Sequence, residues 1–302
     1  MAYAKVIVNP NAGAGATARR WPQVKELLRQ SGVRFDYELT EAPGHATDLA
    51  RSAAEKGYEL VVSVGGDGTM NEIVNGLYEF CSDGRVMLGI ISTGTGSDYI
   101  RTLGIPRSCK DACCCLSNPR RMVVDLGAVE YVSNGQTARR IFVNFAGLGF
   151  DAEVVRITAQ KFKSLGSMLS YLAGVLTCLL RHRNKDIVLR FDGVTEERRV
   201  CEVLVCNGRY GGGGMLPAPD ADVADGLFDV LIIEDASRLD LLWSLPRIYR
   251  GTHLTHPKVA MKQARNIEID TLEELLVQAD GELLGKAPAR VWVLPAALTI
   301  AV

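Results

Sequence analysis

Apolar and polar positions alternate between two periods along the first part of the chain. Short apolar runs at Lys5–Asn9, Leu60–Val64, Val86–Ile91 and Met122–Asp125, together with the alternating Arg34–Leu39, predict strands. Between them, apolar residues recur at helical spacing and predict helices at Ala16–Gln30, His45–Lys56, Met70–Phe80, Ser97–Leu103 and Ser108–Leu116. In the first of these, Trp21, Val24, Leu27 and Leu28 share one face. Strands that alternate with helices in this way predict a parallel sheet covered on both faces. Ligands of such sheets sit beyond the carboxyl ends of the strands.

After Asp125 the pattern becomes one of short strands with turn punctuation: Gly127–Val132, Arg140–Asn144, Ile187–Phe191, Val200–Cys206, Leu227–Ile233, Ile267–Ile269, Leu275–Ala279 and Arg290–Leu294. This half predicts a mainly antiparallel β-sandwich, with helices at Val154–Arg181 and Arg238–Arg250 as exceptions. The expected architecture is thus an α/β domain over residues 1–127 and a β-sandwich domain over 128–302. The strand-like Leu298–Val302 could return to either domain.

At 302 residues, with 47% hydrophobic and 23% charged, the chain is long enough for two cored domains. Its net charge of −1 and scattered arginine pairs argue against nucleic acid as a partner. No signal-peptide pattern precedes Lys5, so a cytoplasmic protein is expected. None of the eight cysteines has zinc-ligand spacing, and they are expected to be reduced and mostly buried. The apolar segment Met168–Leu180 is interrupted by Ser170, Gly174 and Thr177, and is shorter than the ~20 residues that cross a bilayer. It is expected to be a core helix, with contact at a lipid surface as the second reading.

Candidate chemistry starts at Gly65-Gly66-Asp67-Gly68-Thr69, between a strand and the helix-spaced Met70, Ile73, Val74 and Leu77. A glycine turn that feeds a helix N-terminus points backbone N–H groups at one spot and suits a polyanion. Asp67 would repel phosphate unless a divalent cation lay between them, which hints at a metal-nucleotide complex. Ser92-Thr93-Gly94-Thr95-Gly96-Ser97-Asp98 repeats the construction, although Ser97 or Asp98 could simply cap a helix. The glycines of Gly13-Ala14-Gly15-Ala16-Thr17-Ala18 fit a dinucleotide pattern only loosely, because Asn9-Pro10-Asn11-Ala12 separates them from the strand. Asp220, Asp222 and Asp225 could hold a hard cation or be solvated loop acids. Asp280-Gly281-Glu282 on its own reads as a hairpin turn.

In this order, Asn9-Pro10, Gly65–Glu72, Gly94–Asp98, Asn144–Asp151, Asp225–Val230 and Asp280–Glu282 resemble the diacylglycerol kinase/sphingosine kinase catalytic-domain family, in particular its bacterial lipid kinases. The resemblance implies an N-terminal α/β nucleotide-binding domain, a C-terminal β-sandwich and an active site in the cleft between them. It implies ATP and Mg2+ as cofactors and a lipid alcohol as acceptor, with transient contact at a membrane surface. A homodimer is among the states it leaves open. Residues Gly65, Gly66, Asp67, Gly68, Thr69 and Asn71 would hold the ATP phosphates, with Glu72 in the same motif and Asn9, Pro10, Gly13, Thr40 and Thr95 contributing. Glu282 would be the general base, with Asp280 beside it in the catalytic turn. Asp225 would bind magnesium together with the carbonyls of Asp222 and Leu227. Asp67, Asp98 and Asp125 would connect that ion through water to the nucleotide. Ser97 departs from the family pattern, which has Asn in Gly-Thr-x-Asn-Asp. NAD kinases also carry Gly-Gly-Asp-Gly-Thr, so a kinase of that kind is the alternative, followed by a lipid- or nucleotide-binding protein that transfers nothing.

Overall fold

The computed structural model describes residues 3–81, 84–94, 96–162 and 167–302, with the backbone alone at 161–162 and 167–172. The chain forms two compact units, residues 1–126 together with 295–302, and residues 127–294.

In the first unit the elements are β1 (Tyr3–Val8), α1 (Ala12–Gln30), β2 (Arg34–Leu39), α2 (His45–Glu55), β3 (Leu60–Gly65), α3 (Asp67–Leu77), β4 (Met87–Ser92), α4 (Asp98–Leu103) and α5 (Cys109–Ser117). The β1, β3 and β4 runs are buried almost throughout, as strands covered on both faces must be. They pair in parallel in the order β2-β1-β3-β4. The C-terminal residues Thr299–Ala301 add a parallel edge beside Met87–Gly89, which settles the destination of the last strand. On one face Trp21, Val24 and Leu28 of α1 and Ala112, Cys113 and Leu116 of α5 pack on Val6, Val62, Val64 and Ile91. Helices α2 and α3 pack against each other and on β1 and β3. From β1 the chain steps outward to β2, whereas from β3 it steps the other way to β4. The strand order therefore reverses between the carboxyl ends of β1 and β3, which is where open α/β sheets bind ligands.

The second unit contains β5 (Arg121–Ser133), which starts in the first unit, then β6 (Gln136–Phe142), β7 (Phe145–Gly149), α6 (Phe150–Ile157), α7 (Ser167–Arg181), β8 (Lys185–Phe191), β9 (Val194–Cys206), β10 (Phe228–Glu234), α8 (Arg238–Ile248), β11 (Val259–Ala264), β12 (Asn266–Asp270), β13 (Leu276–Ala279) and β14 (Glu282–Ala301). Two long strands serve both layers of an antiparallel sandwich. β9 pairs with β7 through Glu202–Cys206 and with β8 through Val194–Val200. β14 pairs with β13 near Glu282–Lys286 and with β12 near Ala289–Trp292, and the β7–β13 and β8–β12 pairs complete the circuit. The core between the layers includes Phe142, Leu148, Leu189, Val203, Val205, Phe228, Val277 and Val291.

Two differences from the sequence pattern matter. The helix expected over Val154–Arg181 is α6, a π-helical turn at Thr158–Phe162 and a separate α7. Strand β7 lies within the Asn144–Asp151 motif, where Gly147 and Gly149 had concealed it.

Candidate active site

The carboxyl end of β3 carries the glycine turn, and that of β1 the Asn9-Pro10 loop. Gly66 is extended, α3 begins at Asp67, and no side chain caps its N-terminus. The Gly65 carbonyl accepts from the amides of Thr93 (2.8 Å) and Gly94 (3.2 Å), which ties this turn to the Gly94 loop. A Cβ on Gly65 would lie 2.6 Å from Thr69 Oγ1, and one on Gly94 would lie 2.7 Å from the Gly66 Cα, so Gly65 leaves room for the Thr69 side chain and Gly94 for the Gly66 backbone. Gly68 is different: nothing lies within 4 Å of the place its Cβ would occupy. Asn9 Nδ2 donates to Thr69 Oγ1 (2.9 Å), and Asn9 Oδ1 accepts from the Asn11 amide (3.0 Å). The start of α1 is not helical, because Gly13, Ala14 and Gly15 are left-handed at φ 60°, 53° and 81°. The Pro10 carbonyl accepts from Ala18 (3.3 Å), and the hydroxyls of Thr17 and Thr93 meet at 2.6 Å. This is a loop leaning on the Gly94 turn and not the tight turn of a dinucleotide fold. Thr40 is buried at the end of β2, its amide donating to the Val8 carbonyl at 2.8 Å. Asn71 is buried in α3 and accepts from Asn75 Nδ2 through its carbonyl (2.9 Å) and Oδ1 (3.1 Å). Thr95 lies outside the described residues.

The acidic residues of this unit hold backbone. Asp67 accepts from the amide of Asp98 (3.4 Å) and from those of Ser97 and Tyr99, at the N-terminus of α4. Burial pushes its carboxyl above the ordinary value, against the pull of those amides. The carboxylate is thus partnered without a cation, which weakens the inference drawn from its mere presence. Glu72 Oε2 accepts from the Ala46 amide (3.2 Å) at the start of α2. Asp125 is buried, and its Oδ1 accepts from the Ala296 amide at 2.7 Å, where Ala296 has φ +51°. Asp98 is buried 3.8 Å from Arg101 Nη1. Ser97 is left-handed at φ 57°, a conformation that Asn tolerates better than Ser, and its hydroxyl meets Ser92 Oγ at 2.5 Å.

In the second unit Asp280 and Gly281, at φ 46° and 83°, form the hairpin between β13 and β14. Two successive residues of positive φ are the signature of a type I′ turn, so the simple hairpin reading is structurally right. The Asp280 carboxylate accepts from three amides, Val143 (2.8 Å), Asn144 (3.0 Å) and Phe145 (3.1 Å). It anchors the turn and has little capacity left for chemistry. Gly281 N donates to Gln278 Oε1 (2.9 Å), and Gln278 Nε2 to Asp151 Oδ2 (2.6 Å). Asp151 is hydrogen-bonded in turn to Glu202, and burial pushes both carboxyls up. Glu282, next along the chain, keeps a side chain 44% exposed, with Arg140 Nη2 3.0 Å from its Oε2. Elsewhere in the unit Asp222 and Asp225 are exposed and take up the amides of Ala224 (3.0 Å) and Leu227 (2.9 Å). Burial, and then the charge of Asp225, push up the neighbouring Asp229. Crowded carboxylates and turn carbonyls are an all-oxygen donor set, which fits a hard divalent cation.

Comparison with known proteins matches two successive parts of the chain. Residues 3–129 match the family described as diacylglycerol kinase catalytic domain, and residues 144–302 match the YegS C-terminal NAD kinase beta sandwich-like domain. The diacylglycerol kinase of Bacillus subtilis (strain 168) is 30% identical over 289 residues, covering 95% of this chain and 92% of that one. The chain belongs to the diacylglycerol kinase catalytic-domain family. As a member it is a diacylglycerol kinase-like phosphotransferase with an alcohol acceptor. The diacylglycerol kinase of Staphylococcus aureus (strain Newman) is 31% identical over 287 residues, covering 95% of this chain and 88% of that one. The crystal structure of a diacylglycerol kinase from Bacillus anthracis str. Sterne has the same fold, with TM-score 0.73 over 99% of this chain and 96% of that one at 24% identity. Against this family background, the sequence pattern missed Arg140 beside Glu282 and Thr17 beside Thr93. Both meet their partners across long sequence separations that no local spacing signals.

Proposed function

We propose that this chain is an ATP- and Mg2+-dependent lipid kinase that transfers the γ-phosphoryl group of ATP to a hydroxyl of diacylglycerol or a related lipid alcohol. The observation that carries the reading is the uncapped N-terminus of α3, open at Gly68 and placed where the strand order reverses. The amides of Gly66–Thr69 would take the phosphates, with Asn9, Thr40, Thr95, Asn71 and the Pro10–Gly13 loop around them. Asp225, with the carbonyls of Asp222 and Leu227, would hold magnesium, linked through water to Asp67, Asp98 and Asp125. When bound, magnesium supplies neutralisation of the charge on the transferring phosphoryl group.

Glu282 is the proposed base. As the lipid oxygen bonds to the γ-phosphorus and the bond to the leaving ADP oxygen breaks, the hydroxyl proton passes to the Glu282 carboxylate. Arg140 holds that carboxylate in place, and Asp280 holds the turn that presents it. General-base help of this kind contributes typically ~10²–10⁴-fold. Incubation with Mg2+, labelled ATP and a total lipid extract is expected to label a lipid phosphate. If no lipid is labelled while a nicotinamide dinucleotide is, the NAD kinase alternative replaces this one.

The acceptor lies in a bilayer, so the kinase must reach a membrane surface. Among the described residues no helix is long and apolar enough to cross one. Of Met168–Leu180, the side chains up to residue 172 lie outside the described residues. Beyond them Leu176 and Leu180 of α7 are exposed, as are Leu239, Leu242 and Trp243 of α8, which packs against α7. Exposed Arg181, Arg183 and Arg238 flank them, and apolar residues rimmed by cations suit an anionic interface. Replacing Leu180 and Trp243 by Ser is expected to abolish binding to anionic vesicles; intact binding rules out this surface.

A further inference from the structure

Cys178 and His182 stand four residues apart at the end of α7, so they share one face of the helix. Helix α6 packs against that face and presents Glu153. His182 Nδ1 lies 3.1 Å and Cys178 Sγ 3.4 Å from the same Glu153 oxygen. Among the described residues these form the one group of three His, Cys, Asp or Glu side chains whose ligand atoms all fall within 4.8 Å of one another. Cys178 and His182 are buried, and Val154, Ile157, Val175 and Leu179 surround the cluster. His182 Nε2 is buried without a hydrogen-bond partner.

We propose that Glu153, Cys178 and His182 form a zinc site, with three protein ligands and a fourth position left to water. Nitrogen, sulfur and oxygen donors together suit Zn2+ rather than a hard cation. The spacing suits it as well. With Zn–S near 2.3 Å and Zn–N and Zn–O near 2.0–2.1 Å, a tetrahedral ion separates its N and O ligands by about 3.3 Å and its S and O ligands by about 3.5 Å. The observed 3.1 and 3.4 Å are close to these values, and the Cys178 and His182 ligand atoms lie within 4.8 Å of each other. One thiolate and one carboxylate cancel its double charge, so the buried group as a whole is neutral and escapes most of the penalty for burying charge. His182 and Leu179 also line a polar groove of about 470 Å³ whose other walls include Asn184, Arg199 and Ser237. The spacing of cysteines alone could not show this site, because two of its three ligands are not cysteine. The zinc site does not depend on the phosphoryl-transfer reading.

The test uses the full chain, stripped with a chelator, dialysed, and titrated with Co2+ and then Zn2+. One Co2+ per chain is expected, with the absorption bands of a tetrahedral site and a thiolate-to-cobalt charge-transfer band that Zn2+ abolishes. Zn2+ is also expected to raise the melting temperature of the wild-type chain. Cys178→Ser should remove the charge-transfer band and weaken Zn2+ binding by more than the roughly 10–100-fold that outer-shell partners cost. Cys114→Ser, at an exposed thiol, should leave both unchanged. Absence of the band in the wild-type chain, or its persistence in Cys178→Ser, overturns the proposal and leaves a hydrogen-bonded trio. If Cys178→Ser does not fold, Glu153→Gln and the wild-type melting shift decide, and a shift of zero overturns the site.

Discussion

Gly68→Ala separates what the fold needs from what the ligand needs. Gly68 lies in the first turn of α3 and, apart from its chain neighbours and the backbone of its own helix, no atom comes within 4 Å of a Cβ built there. Its φ is not in the left-handed region, so alanine fits the backbone as it stands. Alanine in place of glycine in a helix is worth about 0.5–1 kcal/mol, and for a chain of this size each kcal/mol moves the melting temperature by roughly 2–4 °C. The variant should therefore melt about 1–4 °C higher than the wild type. ATP should pay the difference. A methyl group over the first turn blocks phosphate from the amides, and losing one charge-assisted hydrogen bond of about 1.5–3 kcal/mol weakens binding by roughly 10–150-fold. Gly65→Ala is the contrast, because its Cβ would lie 2.6 Å from Thr69 Oγ1 and must disturb the turn itself. Calorimetric melting and equilibrium ATP binding read the two effects independently. Unchanged ATP affinity in a folded Gly68→Ala protein would refute the phosphate cradle, and a lowered melting temperature would refute the open space above Gly68.

Other outcomes are expected in the same way. Glu282→Gln should keep ATP affinity and lose ~10²–10⁴-fold in turnover; single-turnover kinetics at wild-type rate would remove Glu282 as base. Asp280→Ala, which strands three amides, should cost stability of at least a few kcal/mol at roughly 1 kcal/mol or more per lost partner, and a denaturant midpoint equal to that of the wild type would contradict the anchoring role. Ser97→Asn should raise the denaturant midpoint slightly, since Asn tolerates φ 57° better; a fall would show that the bond to Ser92 matters more. His253 is buried with Nε2 3.0 Å from the Pro217 carbonyl and Nδ1 without a partner, and burial holds its pKa below the ordinary value. The unfolded chain therefore takes up the proton first, so stability falls as pH drops below ~6.5, by at most ~1.4 kcal/mol per pH unit from this group. His253→Gln should flatten that slope in melting curves between pH 5 and 7.

Where local pattern dictates structure, the sequence was readable. The apolar-rich, fully buried β3 followed by helix-spaced Met70, Ile73 and Val74 could hardly be anything but strand–turn–helix. Asp280-Gly281, like Asn134-Gly135 and Asp192-Gly193, shows positive φ at both positions, which that dipeptide type favours. Strand β7 escaped because Ala146, Gly147 and Gly149 lack β-propensity and gain their place through pairing with β9 and β13. Strand β11 escaped because Lys262 and Gln263 break its apolar run. In the site, glycines declared the turns but carboxylates did not declare their partners. Asp67 on α4, Glu72 on α2, Asp125 on Ala296 and Asp280 on Val143–Phe145 all reach amides that are distant in sequence or belong to the next element. An acidic residue in a motif announces that a negative group is wanted there, without saying whether its partner is a cation or a helix end.

The return of Thr299–Ala301 to β4 also bears on how the protein is made. Everything from Gly127 to Leu294 is a long parenthesis inside the first unit. A ribosome that has finished β4 needs on the order of ten seconds more before the strand that flanks it emerges. Until then the outer edge of β4 is open for pairing, and aggregation is a hazard of such edges. A nonsense mutation after Leu294 would spare every residue of the glycine turns and still leave their sheet one strand short.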